Sequence, residues 1–206
     1  MTIDDLARRF AIELPAWVAD ELKEAPDILL TREDRMALVH RLAARNFVEG
    51  NGGPFAAIVV ERETGRLVSI GVNVVLASGI SSAHAEVVAL GMAQTRVGGW
   101  DLGGRDVAAH ELVVNWRPCV QCYGATLWSG VTSLVVAGSG PELEAITSFD
   151  EGPMVDDWAE QFEARGISVL EGVLREEAIA VFRDYAAHTA AGKAPVYNAR
   201  GTSSTM

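Results

Sequence analysis

The chain has 206 residues, 49% hydrophobic and 22% charged, a usage ordinary for a globular protein and sufficient for one well-buried domain without disulfide staples. A formal net charge of −11, with no run of lysine or arginine, argues against a role in coating nucleic acid. No apolar stretch approaches the roughly 20 residues of a membrane span, and the opening MTIDDLARRF has no apolar core of the signal-peptide type, so a soluble cytoplasmic protein is expected.

Residues 1–30 read as an N-terminal helical extension, because Leu6, Phe10, Leu14, Trp17 and Val18 recur at helical spacing. Thr31 with Asp34 forms a capping box that opens a second helix, whose apolar stripe runs from Met36 through Val39 and Leu42 to Phe47. The run from Glu49 to Pro54 breaks it. Phe55 to Glu61 and Leu67 to Val75 read as hairpin strands about the turn at Glu63 to Arg66. A helix over Ala83 to Val97 ends at Gly98-Gly99. A strand at Glu111 to Asn115 follows, then a helix from Cys119 to Ser129 and a strand at Ser133 to Ala137. Glu142 to Ser148 reads as a short helix and Phe149 to Asp157 as an acidic loop. Trp158 to Ala164 is helical, Ile167 to Leu170 a strand, Leu174 to Ala190 a helix, and residues 191–206 a tail. Alternation of helices and strands after the hairpin predicts an α/β layered fold with a mainly parallel sheet covered on both faces.

Chemistry concentrates at two of these helix starts. Cys119 and Cys122 are the protein's two cysteines, and a C-x-x-C pair in a reducing compartment points to metal or redox chemistry rather than a structural disulfide. His84-Ala85-Glu86 opens the other helix. One His and two Cys suit Zn2+, and three protein ligands leave the fourth position open for water, the catalytic rather than the structural pattern. Helix N-termini favour thiolates. Glu86, two residues from His84, is close to the metal and free to carry a proton. H-x-E followed by P-C-x-x-C is the signature of zinc-dependent nucleobase deaminases. A structural zinc knuckle would be expected to bring a fourth Cys or His, and none is near in sequence.

These motifs, with GGPFAAIVV (52–60), GVNVV (71–75), AHAEVVAL (83–90) and PCVQCYGATLWSGV (118–131), resemble the cytidine deaminase superfamily. FDEGP (149–153) and VYNAR (196–200) narrow the resemblance to the bacterial guanine deaminase branch, some members of which act on s-triazines such as ammeline. The resemblance implies a cytidine deaminase-like three-layer α/β/α sandwich with a mixed five-stranded sheet. Its domain would span residues 31–190. It implies His84, Cys119 and Cys122 as zinc ligands, Glu86 as proton shuttle and Glu151 as a second proton carrier. It further implies that Asn73 and the backbone near Phe55 and Ala56 grip the base, that Tyr197 helps to close the pocket, and that the chain forms a homodimer. One departure stands out: the branch usually has S-x-E before the Pro-Cys, where this chain has Asn115-Trp116-Arg117.

Without the family, several of these residues read two ways. Asn73 offers a donor and an acceptor to a base edge, or caps a turn. Phe55 and Trp116 line a pocket or fill the core. Glu151 is catalytic or simply solvated, and Tyr197 is a lid or a tail residue. Arg117 pairs with a carboxylate or steers an anionic substrate. His40, His110 and His188 read as surface or satisfied histidines. The reaction expected is hydrolytic deamination of a free amino-substituted heteroaromatic base. Its rivals are tRNA adenosine deamination, which the −11 charge opposes, and a catalytically inactive zinc-stabilised binding protein, for which Glu86 has no use.

Overall fold

A computed structural model describes residues 6–199; Met1 to Asp5 and Arg200 to Met206, including the last residue of VYNAR, lie outside the described residues. The elements in chain order are α1 (Ala16–Glu24), α2 (Arg32–Val48), β1 (Ala56–Glu61), β2 (Leu67–Val72), α3 (Val75–Ser78), α4 (Ala85–Val97), β3 (His110–Val114), α5 (Val120–Ser129), β4 (Ser133–Val136), α6 (Glu142–Thr147), α7 (Trp158–Glu163), β5 (Ser168–Leu170) and α8 (Arg175–Ala190).

The expected N-terminal helix is only partly formed. Residues 6–15 are not helical, and Leu6 and Phe10 are 56% and 75% exposed rather than part of a buried stripe. Pro15 is disfavoured after a helical residue and so holds Leu14 out of the helical region, which separates residues 6–14 from α1. Pro15 itself becomes the N-cap of α1. Trp17 and Val18 then face the core, with the Arg45 guanidinium 5.0 Å over the Trp17 ring. The α2 start is as its sequence indicates: Asp34 N–H donates to Thr31 Oγ1 at 3.0 Å, and Thr31 N–H donates to Asp34 Oδ2 at 3.4 Å.

The sheet has five strands in the order β2-β1-β3-β4-β5. It is mixed, as the family resemblance implies, where the alternation of elements alone predicts a mainly parallel sheet: β1 is antiparallel to both β2 and β3, whereas β3–β4 and β4–β5 are parallel. The hairpin strand β1 lies between β2 and the strand that follows α4, so it runs against both neighbours. The other four strands therefore share one direction. Their carboxyl ends meet at one edge of the sheet, beside the start of β1. In an α/β sheet that edge is where ligands bind.

Alternate β1 residues serve two cores. Ala56, Ile58 and Val60 pack with α2 and α8, and Ala57 and Val59 pack with α4 and α7, which gives the three layers. At the edge opposite the site, buried Arg35 donates to Glu111 Oε1 at 2.7 Å and to the Leu29 carbonyl at 2.9 Å, while Ser133 Oγ donates to Glu111 Oε2 at 2.8 Å. The buried Arg35 and Glu111 charges are thus paired with each other, and the network fastens α2 to β3.

The position of α4 depends on small residues. Ala85, Ala89 and Ala93, spaced four apart, form its buried face, and Ser69 Oγ donates to the Ala89 carbonyl at 2.7 Å. Opposite them, a Cβ on Gly71 would overlap the Ala85 oxygen and the Ala89 backbone nitrogen. Gly71→Ala is therefore expected to push α4 outward, costing about 1–3 kcal/mol in urea denaturation. The same shift carries His84 and Glu86 away from Cys119 and lowers turnover by about 100-fold. Wild-type turnover in this variant would show that α4 is free to slide.

Candidate active site

The carboxyl ends of β2 and β3 feed the two helix starts that carry the motif. His84 is the N-cap of α4 and Cys119 the N-cap of α5; both have extended backbone and neither side chain caps its helix. Each side chain is thus available for another partner. Cys122 sits in the first turn of α5, fully buried. His84 Nδ1 lies 3.4 Å from Cys119 Sγ and 3.6 Å from Cys122 Sγ. A tetrahedral zinc with Zn–N near 2.0 Å and Zn–S near 2.3 Å sets nitrogen and sulfur roughly 3.5 Å apart, so this ligand set fits zinc. Among the described residues these three form the one His/Cys/Asp/Glu cluster of metal-binding dimensions, and its ligand atoms all lie within 4.8 Å of one another.

The electrostatics are those of a crowded anionic site. The Cys122 thiol and His84 hold Cys119 down to about 4, whereas burial pushes Cys122 well above the usual thiol range. Burial lowers the His84 pKa, but its hydrogen bond to Cys119 and the charges of Glu86, Cys119 and Glu151 more than offset this, so it ends raised. Burial, then the Cys119 thiolate, raise Glu86 to about 6; the same causes with Glu86 added raise Glu151 to about 8. These directions reflect the protein's own groups, and a divalent cation opposes the carboxyl shifts.

A cavity of about 530 Å³ opens beside the cluster, lined by His84, Cys119, Glu86 and Glu151 on one side and by Phe55, Trp116, Phe149 and Tyr197 on another. Glu86, 6% exposed, reaches it from the first turn of α4. Glu151 reaches it from the loop after α6. That loop turns at Ser148, in the left-handed region at φ 63°, and the Val120 N–H donates to the Glu151 carbonyl at 3.1 Å. The second carboxyl is thereby tied to the residue next to Cys119.

Trp116 is both core and wall. It is 2% exposed, donates from Nε1 to the Gly140 carbonyl at 3.2 Å, and meets Phe182 edge-on at 5.3 Å. Phe55 and Phe149 lie 5.4 Å apart, and Phe149 stands 5.2 Å from Tyr197. Arg117 lines the cavity and lies 3.8 Å from Glu144, so its carboxylate pairing is realised. Ala56 is the correction. It does not line the cavity, and its N–H donates to Asn115 Oδ1 at 3.2 Å; Phe55 N–H is likewise used by the Gly53 carbonyl at 2.8 Å. The backbone there shapes the wall and leaves neither N–H for a base. Asn115, which also donates to Pro54 O at 2.9 Å, and Asn46, which donates to Gly53 O at 2.9 Å and Asn73 O at 2.8 Å, hold this loop. Sequence reading named Asn115 only as a strand end and as part of the departure before the Pro-Cys, and Asn46 not at all. His110 Nδ1 bonds the Leu102 carbonyl at 2.7 Å, and His40 Nε2 bonds the Leu174 carbonyl at 3.0 Å while its buried Nδ1 has no partner among the described residues.

Residues 30–138 match the model of the cytidine and deoxycytidylate deaminase zinc-binding region, a span that includes all three ligands. The crystal structure of guanine deaminase from Nitrosomonas europaea is 42% identical, covers 88% of this chain and 98% of that one, and superposes with a TM-score of 0.82. The guanine deaminase of Bacillus subtilis (strain 168) is 30% identical over 135 residues, 66% of this chain and 81% of that protein. A tRNA-specific adenosine deaminase of Buchnera aphidicola subsp. Schizaphis graminum (strain Sg) is 26% identical over 140 residues, 68% of this chain and 84% of that protein.

Proposed function

Since the chain belongs to the cytidine and deoxycytidylate deaminase family and is a zinc-dependent deaminase, we propose that its substrate is a free amino-substituted base, guanine first and s-triazines such as ammeline next. The observation that carries this reading is the meeting, in one aromatic-walled cavity, of the His84–Cys119–Cys122 set with two carboxyls, Glu86 and Glu151. Guanine deaminases among its relatives support the choice of base.

Hydrolytic deamination adds water across a C=N bond, then expels ammonia. Two protons must move: one from water to the ring nitrogen, one from the new hydroxyl to the exocyclic nitrogen. His84, Cys119 and Cys122 would hold a zinc ion, which when bound would supply acidity, lowering the pKa of water from about 15.7 to about 7. Glu86 takes the proton of the attacking water and delivers it to the base. Glu151 completes the transfer to the leaving amine. Phe55, Trp116 and Phe149 hold the ring and exclude bulk water, and Asn73 and Tyr197 close the polar edge.

The assignment is tested by ammonia release from guanine, ammeline, cytosine, isocytosine, adenine, cytidine and guanosine, with Glu86→Ala protein as the blank. Turnover of a free base, guanine foremost, is expected; silence across the panel in zinc-loaded protein overturns it. Glu151→Gln keeps the shape but removes the acid, and should lower kcat by about 100-fold with little change in KM. An unchanged kcat removes Glu151 from the mechanism. A tRNA substrate is disfavoured by the −11 charge, since a polyanion would have to be held against it.

The catalytic unit on this reading is residues 31–190, with 1–30 an extension and 191–206 a tail, of which Tyr197 closes the site. A homodimer is part of the proposal. The outer row of α5, Val120, Gly124 and Trp128, carries no charge in an acidic chain, and Trp128 is 82% exposed. Such a row brings two copies together without like-charge repulsion, and sedimentation velocity reads the outcome. A cytoplasmic setting suits thiolates kept for metal.

A further inference from the structure

The polarity of the Asn73 side chain follows from three hydrogen bonds. A backbone N–H only donates, and that of Val75 lies 3.2 Å from Asn73 Oδ1. The Gly53 N–H, also an obligate donor, lies 2.8 Å from Tyr197 Oη. The Tyr197 hydrogen is then free for the atom 2.6 Å away, which is Asn73 Oδ1. Both accepting directions of that oxygen are filled. The Asn73 amino group, on a residue 3% exposed and lining the cavity, donates to no described protein group.

The hydroxyl is held in place by more than these bonds. Tyr197 packs edge-on against Phe149 at 5.2 Å. Its neighbour Asn198 accepts from the Asp150 N–H at 3.1 Å and donates to the Ser148 carbonyl at 3.0 Å. Tyr185 Oη donates to the Pro195 carbonyl at 3.0 Å. On the other side, a Cβ on Gly52 would overlap Asn73 Oδ1, so the loop closes directly on the amide. The segment after α8 thus delivers a hydroxyl to one oxygen.

We infer that Tyr197 is a positioning residue: by donating to Asn73 Oδ1 it fixes the Asn73 amide as a hydrogen-bond donor to the cavity, so that the site selects bases presenting an acceptor at that wall and rejects those presenting an amino group. The inference rests on the free-base reading above. For guanine the acceptor is the 6-oxo oxygen. Tyr197 touches no reacting atom and acts through Asn73.

The test compares guanine with 2,6-diaminopurine, which carries an amino group in place of that oxygen. Binding is measured by calorimetry on zinc-loaded Glu86→Gln protein, so that neither base is consumed, with and without Tyr197→Phe. The parent is expected to favour guanine by about tenfold or more, the cost of opposing two donors. Tyr197→Phe keeps the ring and the Asn198 ties but leaves the amide held only by the longer 3.2 Å bond from the Val75 N–H, and the preference should fall below about threefold. Asn73→Asp keeps the accepting oxygen and replaces the amino group with a second acceptor, so it should reverse the preference. A parent that does not discriminate, or a ratio unchanged in Tyr197→Phe while both affinities fall alike, overturns the inference and leaves Tyr197 a structural residue. If neither base binds the parent, the free-base reading itself fails, and this inference with it.

Discussion

Glu86→Gln should lower kcat by about 10²–10⁴-fold while zinc content stays at the wild-type value and thermal stability does not fall. The reason lies in how little else Glu86 does. It is buried in the first turn of α4, no arginine or lysine among the described residues pairs with it, and burial pushes its carboxyl up to about 6. A carboxyl held against its solvation preference in this way weakens the fold unless it has work to do. Glutamine fills the same space and has no proton to give. Metal analysis, a thermal melt and ammonia release on the same preparation separate the cases. Loss of zinc together with activity would make Glu86 a ligand or a structural support, and retained activity would leave the proton transfer to another group.

What could be read in advance follows from range. The Thr31–Asp34 capping box and the His84 and Cys119 helix starts are local, and each formed where its residues indicated. The order of the strands is not local. Nothing in β1 itself says that it will lie between β2 and β3, and that insertion turned an expected mainly parallel sheet into a mixed one. At Pro15 a local rule outweighs periodicity: Leu6, Phe10 and Leu14 keep helical spacing, but Leu14 stands before a proline that keeps it out of the helical region. Asn46 and Asn115 have no motif, because their bonds to Gly53, Pro54 and Ala56 join segments distant in sequence. For Trp116 the choice between core and pocket was too narrow. One ring face can seal a core while another part of it bounds a cavity, as its contacts with Phe182 and the cavity both require.

Cys122→Ser should abolish zinc retention and turnover together, and should also lower Tm. The three ligands come from helices that follow different strands, so a metal bound among them joins α4 to α5 across the sheet edge. The unfolded chain has no such arrangement, and metal affinity therefore becomes folding stability. At about a thousand times the dissociation constant, bound metal stabilises the native state by about 4 kcal/mol. In a domain of this size that corresponds to roughly 8–16 °C in Tm. Chelator should impose the same loss on the wild type and none on Cys122→Ser, because the variant has already lost what the chelator removes. That non-additivity is the informative result. A buried Cys122 that only filled space would lower Tm by a similar amount in the serine variant, since a hydroxyl is poorly accommodated there, but chelator would then still destabilise the variant. Equal melting with and without chelator in the wild type would show that the metal does not brace the two helices.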